Sequence, residues 1–175
     1  DVNYKMAVEA ADMAKNAGIK LFIYPSSMII YGESAPIGKH KVITKDTIPT
    51  PANFYGDSKL QADLAIQKMS DETFQTAVLR LPMVYGKNSK GNYPVLAKMA
   101  KKLPVFPKVK NERSMIYIGN LCEFLREIIE NGSGGVFYPQ NAEYTVTSEM
   151  VKKIAEAADY LMENKIVCHF LYGCR

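Results

Sequence analysis

The sequence predicts an α/β layer fold, and three observations carry that prediction. Short apolar runs at residues 20–24 (KLFIY) and 76–81 (TAVLRL) read as buried strands. Residues 3–16 and 55–69 place apolar side chains at helical spacing. Strand and helix therefore alternate along the chain, which is the pattern of layered α/β folds.

The elements follow in order. In 3–16 the apolar positions are Met6, Ala7, Ala10, Ala11 and Ala14, and Gly18 supplies a C-terminal stop. The strand at 20–24 ends at Pro25-Ser26-Ser27. Two hydroxyls are thus expected just beyond its carboxyl end, where open α/β sheets bind their ligands. Residues 31–53 are rich in Gly, Pro and Thr and read as loop. The helix at 55–69 carries Leu60, Leu64 and Met69 with charges between them. After the second strand, 86–93 reads as loop and 94–102 as a lysine-rich helix. Residues 113–118 suit a short strand or turn, and 121–130 an amphipathic helix stopped by Asn131-Gly132-Ser133-Gly134-Gly135. A short strand at 136–138 precedes a last helix from Glu149 to about Glu163, with Thr147 or Ser148 as its cap. No internal repeat or low-complexity tract occurs.

Composition narrows the class. A chain of 175 residues suits one domain or most of one. With 47% hydrophobic and 23% charged residues it reads as an ordinary globular protein. No apolar run reaches the roughly 18 residues of a membrane span. The first residues lack the charged-then-apolar pattern of a signal peptide. The chain opens on Asp1 rather than Met, which leaves the native start open. Cys122, Cys168 and Cys174 are scattered and odd in number, and His40 and His169 have no ligand spacing. Neither a disulfide framework nor a metal site is expected, and a reducing cytoplasm is the natural setting.

Net charge is +4, and it is unevenly spread. From Thr73 to Asn111 there is no Asp or Glu, while Arg80, Lys87, Lys90, Lys98, Lys101, Lys102, Lys108 and Lys110 all fall there. Such a band could meet phosphates, but a solvated lysine face explains it as well. It has no interleaved aromatic platform, so no nucleic-acid partner is expected.

The chemistry concentrates at Tyr55-Gly56-Asp57-Ser58-Lys59. Residues four apart on a helix share a face. A tyrosine is a poor base at its reference pKa of about 10, and a neighbouring ammonium favours the phenolate. A Tyr–Lys pair can therefore exchange a proton with a hydroxyl near neutral pH. Ser27, at the end of the first strand, can hold the same substrate oxygen. Taken alone the spacing is weak, since Tyr–Lys pairs recur on exposed helices by chance.

The surrounding text strengthens it. Residues 22–32 (FIYPSSMIIYG), 51–60 (PANFYGDSKL), 78–86 (VLRLPMVYG) and 112–118 (ERSMIYI) resemble, in order, the characteristic segments of the extended short-chain dehydrogenase/reductases, the NAD-dependent sugar-nucleotide epimerases and dehydratases. The resemblance covers residues 1 to about 157. It implies part of a Rossmann-like doubly wound sheet. Residues 1–86 would be the C-terminal part of the NAD-binding domain, and 87–175 a partial sugar-nucleotide-binding region. It assigns Tyr55 as acid/base and Lys59 as the residue that lowers the phenol's pKa and holds the nicotinamide ribose. Ser27 would bind the reacting sugar hydroxyl, with Leu81 and Pro82 beside the nicotinamide. Asn92 would lie near the sugar nucleotide, and Arg113 would meet its diphosphate, for which a guanidinium fork is suited. Bland roles stand beside these: Arg113 as a surface arginine, Asn92 as a loop cap, Tyr31 and Tyr85 as packing residues, Arg80 as one half of a structural pair.

The implied function is 4-epimerisation of a UDP-sugar through a 4-keto intermediate with NAD, in polysaccharide biosynthesis. Residues 90–125 resemble most the bacterial surface-polysaccharide enzymes of the family. A 4-keto-sugar reductase and a catalytically silent protein on the same fold are the alternatives. Met28 and Ile29 stand where the family's 4,6-dehydratases carry Asp-Glu, which disfavours dehydration. Met83 replaces an asparagine found in many epimerases, which leaves the sugar open. The family's Gly-rich phosphate turn does not occur, and residues 158–175 depart from its pattern. The chain is therefore expected to be a piece of a larger enzyme, binding NAD poorly and turning over nothing by itself. Homodimerisation through the Tyr–Lys helix is a further implication of the resemblance.

Overall fold

The computed structural model describes residues 2–33, 41–87, 89, 92–102, 106–108 and 111–157. Its sheet holds three parallel strands, β1 (Leu21–Ser27), β2 (Gln75–Leu81) and β5 (Gly135–Phe137), in the order β1-β2-β5. Leu21 pairs with Gln75 and Ser27 with Leu81, so both strand ends finish level. Helices cover both faces, as the α/β expectation required. On one face lie α1 (Val2–Asn16) and α2 (Phe54–Lys68), packed through Ala11, Ala62 and Ile66 onto Tyr24 and Val78. On the other, α4 (Ile118–Asn131) sets Ile128, Phe124 and Leu125 against Ala77, Leu79 and Ile23. The division follows from the strand period of two, which sends alternate side chains to opposite faces. By that alternation Ser26 and Arg80 belong to the α2 face, directly beyond Tyr24 and Val78.

A smaller layer follows the sheet. Strands β3 (Met83–Tyr85) and β4 (Met115–Tyr117) pair in parallel. Helices α3 (Asn92–Lys102) and α5 (Thr147–Ala157) pack together through Ala100, Val151, Ala155 and Phe106. No helix among the described residues is long and apolar enough to cross a membrane.

Several boundaries differ from the sequence expectation. β1 runs on through Pro25 to Ser27, so both serines are strand residues rather than lying past the end. Proline is tolerated there because β1 is an edge of the described sheet. Residues Met28–Tyr31 form a 3₁₀ helix at the start of the expected loop, of which residues 34–40 are outside the described residues. β3 lies where no strand was expected, because three residues are too few to show a period. α3 begins two residues before Pro94, at Asn92. α4 begins at Ile118 and is capped by Gly132, whose φ of 60° is the left-handed cap position glycine favours. The last helix starts at Thr147 itself, and its cap comes from elsewhere. The Thr147 backbone N–H donates to Asn111 Oδ1 at 3.0 Å, while Asn111 Nδ2 donates to Thr147 Oγ1 at 2.8 Å. The expected continuation to Glu163, His40, His169, Cys168 and Cys174 all lie outside the described residues.

Candidate active site

The first turn of α2 meets the 3₁₀ helix at the carboxyl end of β1. Asn53 caps α2 by accepting the Gly56 N–H at 2.9 Å, which fixes where Tyr55 starts. A Cβ at Gly56 would stand 3.1 Å from the Ile29 carbonyl oxygen, so glycine permits the close approach of α2 to the 3₁₀ helix. The Ser58 hydroxyl turns back to the Tyr55 carbonyl at 2.9 Å. Tyr55 itself is 47% exposed, an open phenol at the mouth of the sheet. One turn later, Lys59 folds inward. Its ammonium donates to the Pro25 carbonyl at 3.2 Å and lies 5.0 Å from the centroid of the Tyr24 ring. Burial holds it below the ordinary lysine range.

The two serines separate cleanly. Ser26 is 3% exposed, and its hydroxyl donates to Asp63 Oδ2 at 2.7 Å. Ser27 is half-buried; its oxygen accepts the Ile29 N–H at 3.3 Å and so starts the 3₁₀ helix. Ser26 is thus committed to the core, while the adjacent Ser27 is only half-buried at the carboxyl end of the sheet. Leu81 is the register partner of Ser27, and Pro82 follows where the chain leaves β2 for β3. Ser27, Tyr55, Lys59, Leu81 and Pro82 therefore gather at one end of the sheet.

The other two expected residues belong to the smaller layer. Arg113 forms a two-bond antiparallel bridge with Thr145, and its side chain is exposed. No hydrogen bond or ion pair among the described residues ties that guanidinium to the Tyr55–Lys59 helix. Asn92 is the first residue of α3; its side chain and its neighbours Lys90 and Gly91 are outside the described residues.

Beneath the open site lies a closed one. Asp63, fully buried, accepts from Arg80 through both carboxylate oxygens at 3.1 and 3.0 Å. Arg80 also donates to the phenols of Tyr31 at 2.7 Å and Tyr138 at 2.8 Å. Burial alone would disfavour the guanidinium, but the Asp63 carboxylate outweighs it and holds Arg80 above its ordinary range. Burial and the hydrogen bond to Tyr138 push Tyr31 up to about 12, with Arg80 opposing. The structural pairing expected of Arg80 and the packing role expected of Tyr31 are both present, and the partner is now named. Asp63 was missed by sequence reading, although it stands four residues after Lys59 and so continues the Tyr55–Lys59 face. Tyr24 was missed too, being one more apolar letter in a strand.

Comparison with known proteins agrees with this architecture. Residues 1–138 match the model of the NAD dependent epimerase/dehydratase family. A UDP-glucose 4-epimerase of Vibrio cholerae is 29% identical over 99% of this chain and 55% of its own length. An N-acetyl-alpha-D-glucosaminyl-diphospho-ditrans,octacis-undecaprenol 4-epimerase of Escherichia coli O157:H7 is 30% identical over 71% of this chain and 38% of its own. The chain thus spans about half or less of the length of these relatives. The crystal structure of the Bordetella bronchiseptica enzyme WbmG with NAD and UDP has the same fold, with a TM-score of 0.74 at 21% identity over 94% of this chain and 52% of that one. On its matched residues and its parallel sheet, the chain belongs to the NAD-dependent epimerase/dehydratase family.

Proposed function

We propose that this chain carries the reacting side chains of an NAD-dependent sugar-nucleotide 4-epimerase, with Ser27, Tyr55 and Lys59 as the catalytic set and a UDP-sugar as substrate. The observation that carries the reading is the state of Lys59: a desolvated ammonium one turn from an open phenol, at the carboxyl end of a parallel sheet. Two relatives with 4-epimerase names support the reaction class, one of them acting by name on UDP-glucose. Sugars of this kind feed polysaccharide synthesis.

The residues present fit the nicotinamide end of the cofactor. Among the described residues, Pro25 is the one hydrogen-bond acceptor of Lys59, so two of its three N–H donors remain for a ribose diol. Tyr55 would share that diol, and Leu81 and Pro82 would flank the nicotinamide. NAD, when bound, supplies the hydride acceptor for the sugar carbon. Tyr55 takes the proton of the sugar 4-hydroxyl and later returns it. Lys59 provides the positive field that favours the phenolate. Ser27 donates to the same sugar oxygen as it becomes a carbonyl. The ketone would turn in the site to present its other face, with Tyr55 positioned to return the proton to the same oxygen. Met28 and Ile29 offer no exchangeable proton, which favours this course over loss of water. Asn92 and Arg113 are proposed for the sugar nucleotide and its diphosphate.

The test is Tyr55→Phe made in the whole protein that contains this chain, assayed by NMR for interconversion of the gluco and galacto forms of UDP-sugars with NAD. The expected loss is about 10²- to 10⁴-fold, with stability unchanged because the phenol is open. Turnover equal to that of the unaltered protein would overturn the assignment.

A further inference from the structure

We propose that the aromatic face of Tyr24 is a positioning element for the Lys59 ammonium, and that the Tyr24 hydroxyl takes no part. This rests on Lys59 being the site lysine. Three observations carry it. The ring, only 6% exposed, is immobilised in the core by Ala11, Ala62, Ile66 and Val78, and the ammonium sits 5.0 Å from its centroid. Tyr24 and Pro25 are adjacent residues of one strand, so a π face and a carbonyl are offered to the cation from a single rigid backbone. Finally, the Tyr24 hydroxyl is buried with no hydrogen-bond partner among the described residues, so there it adds a desolvation cost and no bond.

No carboxylate is paired with Lys59 among the described residues. The surrounding titratable groups are otherwise engaged or neutral. On its own helix, Asp63 is bound by Arg80 and Ser26, Asp57 accepts from Gln61, and Tyr55 is an open phenol. Tyr31 of the 3₁₀ helix and Arg80 of β2 bind each other, and from α1 Tyr4 packs on the Tyr24 cluster. A ring quadrupole attracts a cation without cancelling its charge. A carboxylate in that place would offset the field that Lys59 exerts on Tyr55. The ring therefore holds the ammonium while leaving it electrostatically active.

The experiment is an NMR titration of the Lys59 side chain in the full chain, assigned with Lys59→Arg. It is repeated with Tyr24→Phe and with phenylalanines carrying one, two and three ring fluorines at position 24. Fluorine drains the π face at nearly constant shape. The Lys59 titration is expected to stay in place with Tyr24→Phe. It should then fall stepwise along the fluorinated series, by about 0.4 to 1.5 pH units in total. A titration that does not move along the series overturns the proposal. Because the readout needs neither NAD nor sugar, a moving titration upholds it even if the protein epimerises nothing, a result that would remove the proposed function instead.

Discussion

Arg80 and Lys59 are both cations at the carboxyl end of the sheet, on the same face, and their surroundings are opposite. Arg80 meets a carboxylate through both oxygens and two phenols besides, and is held above its ordinary range. Lys59 has one carbonyl and one ring face, and is held below its own. A buried charge that is fully bonded is a fixture of the architecture. One that is left short of partners has donors and charge still to give, and those are what a bound ligand can use. The contrast separates the part of this molecule that holds shape from the part to which the chemistry is proposed to belong.

The largest way to break the contrast is Asp63→Ala. It strands the Arg80 charge in the core and should cost about 3–5 kcal/mol in urea unfolding. Asp63→Leu combined with Arg80→Met should return much of that loss, since a buried pair replaced together leaves no orphan charge. If the double substitution is as damaging as the single one, Asp63 matters through Ser26 and through Gln67, whose side-chain amide also donates to the carboxylate, rather than through Arg80. Tyr138→Phe removes one charge-assisted bond and should cost about 1.5–3 kcal/mol by the same measurement.

Lys59→Met is expected to leave stability at neutral pH intact or raised, because it removes a desolvated charge, while the proposed epimerisation should be lost. The pH dependence sharpens this. Unfolded, Lys59 titrates at the ordinary 10.5; folded, it titrates lower. Between the two the unfolded chain binds more protons, so Lys59 makes stability rise with pH across that window. Lys59→Met should abolish the rise. Tyr24 acts the other way, since burial, then Asp63 and Tyr55, push it from 10.0 to about 12. Its neutral form is favoured by folding, so its contribution is lost as pH climbs through that interval. Tyr24→Phe should flatten the fall, measured by thermal unfolding at pH 9 to 12, and this is the smallest effect of the set.

The sequence shows the open site better than the closed one. Tyr55 and Lys59 are legible because an i, i+4 pair is written within one turn of helix, and Ser27 because it ends an apolar run. Arg80 was visible as a charge inside an apolar strand, but its partner lies on another element, and a pairing between elements leaves no local spacing to read. The same reason hides the Asn111 cap of α5 and the seat of Lys59 on Tyr24. β3 was invisible for a different reason: a strand of three residues has no periodicity, and its place is set by pairing with β4. Pro25 misled the end of β1, because proline is a breaker only where its missing N–H is wanted.

The partners of Arg80 also set a clock. Tyr138 follows β5 and is 58 residues further along the chain than the guanidinium it bonds. At the 5–20 residues per second of translation, Arg80 waits about 3–12 s for that phenol to be made. During that interval β1, α2 and β2 can assemble only around a charge whose bonding is unfinished. Completion of the shell that anchors the Tyr55–Lys59 helix is thus a late event of biosynthesis, reached when the third strand of the sheet has arrived.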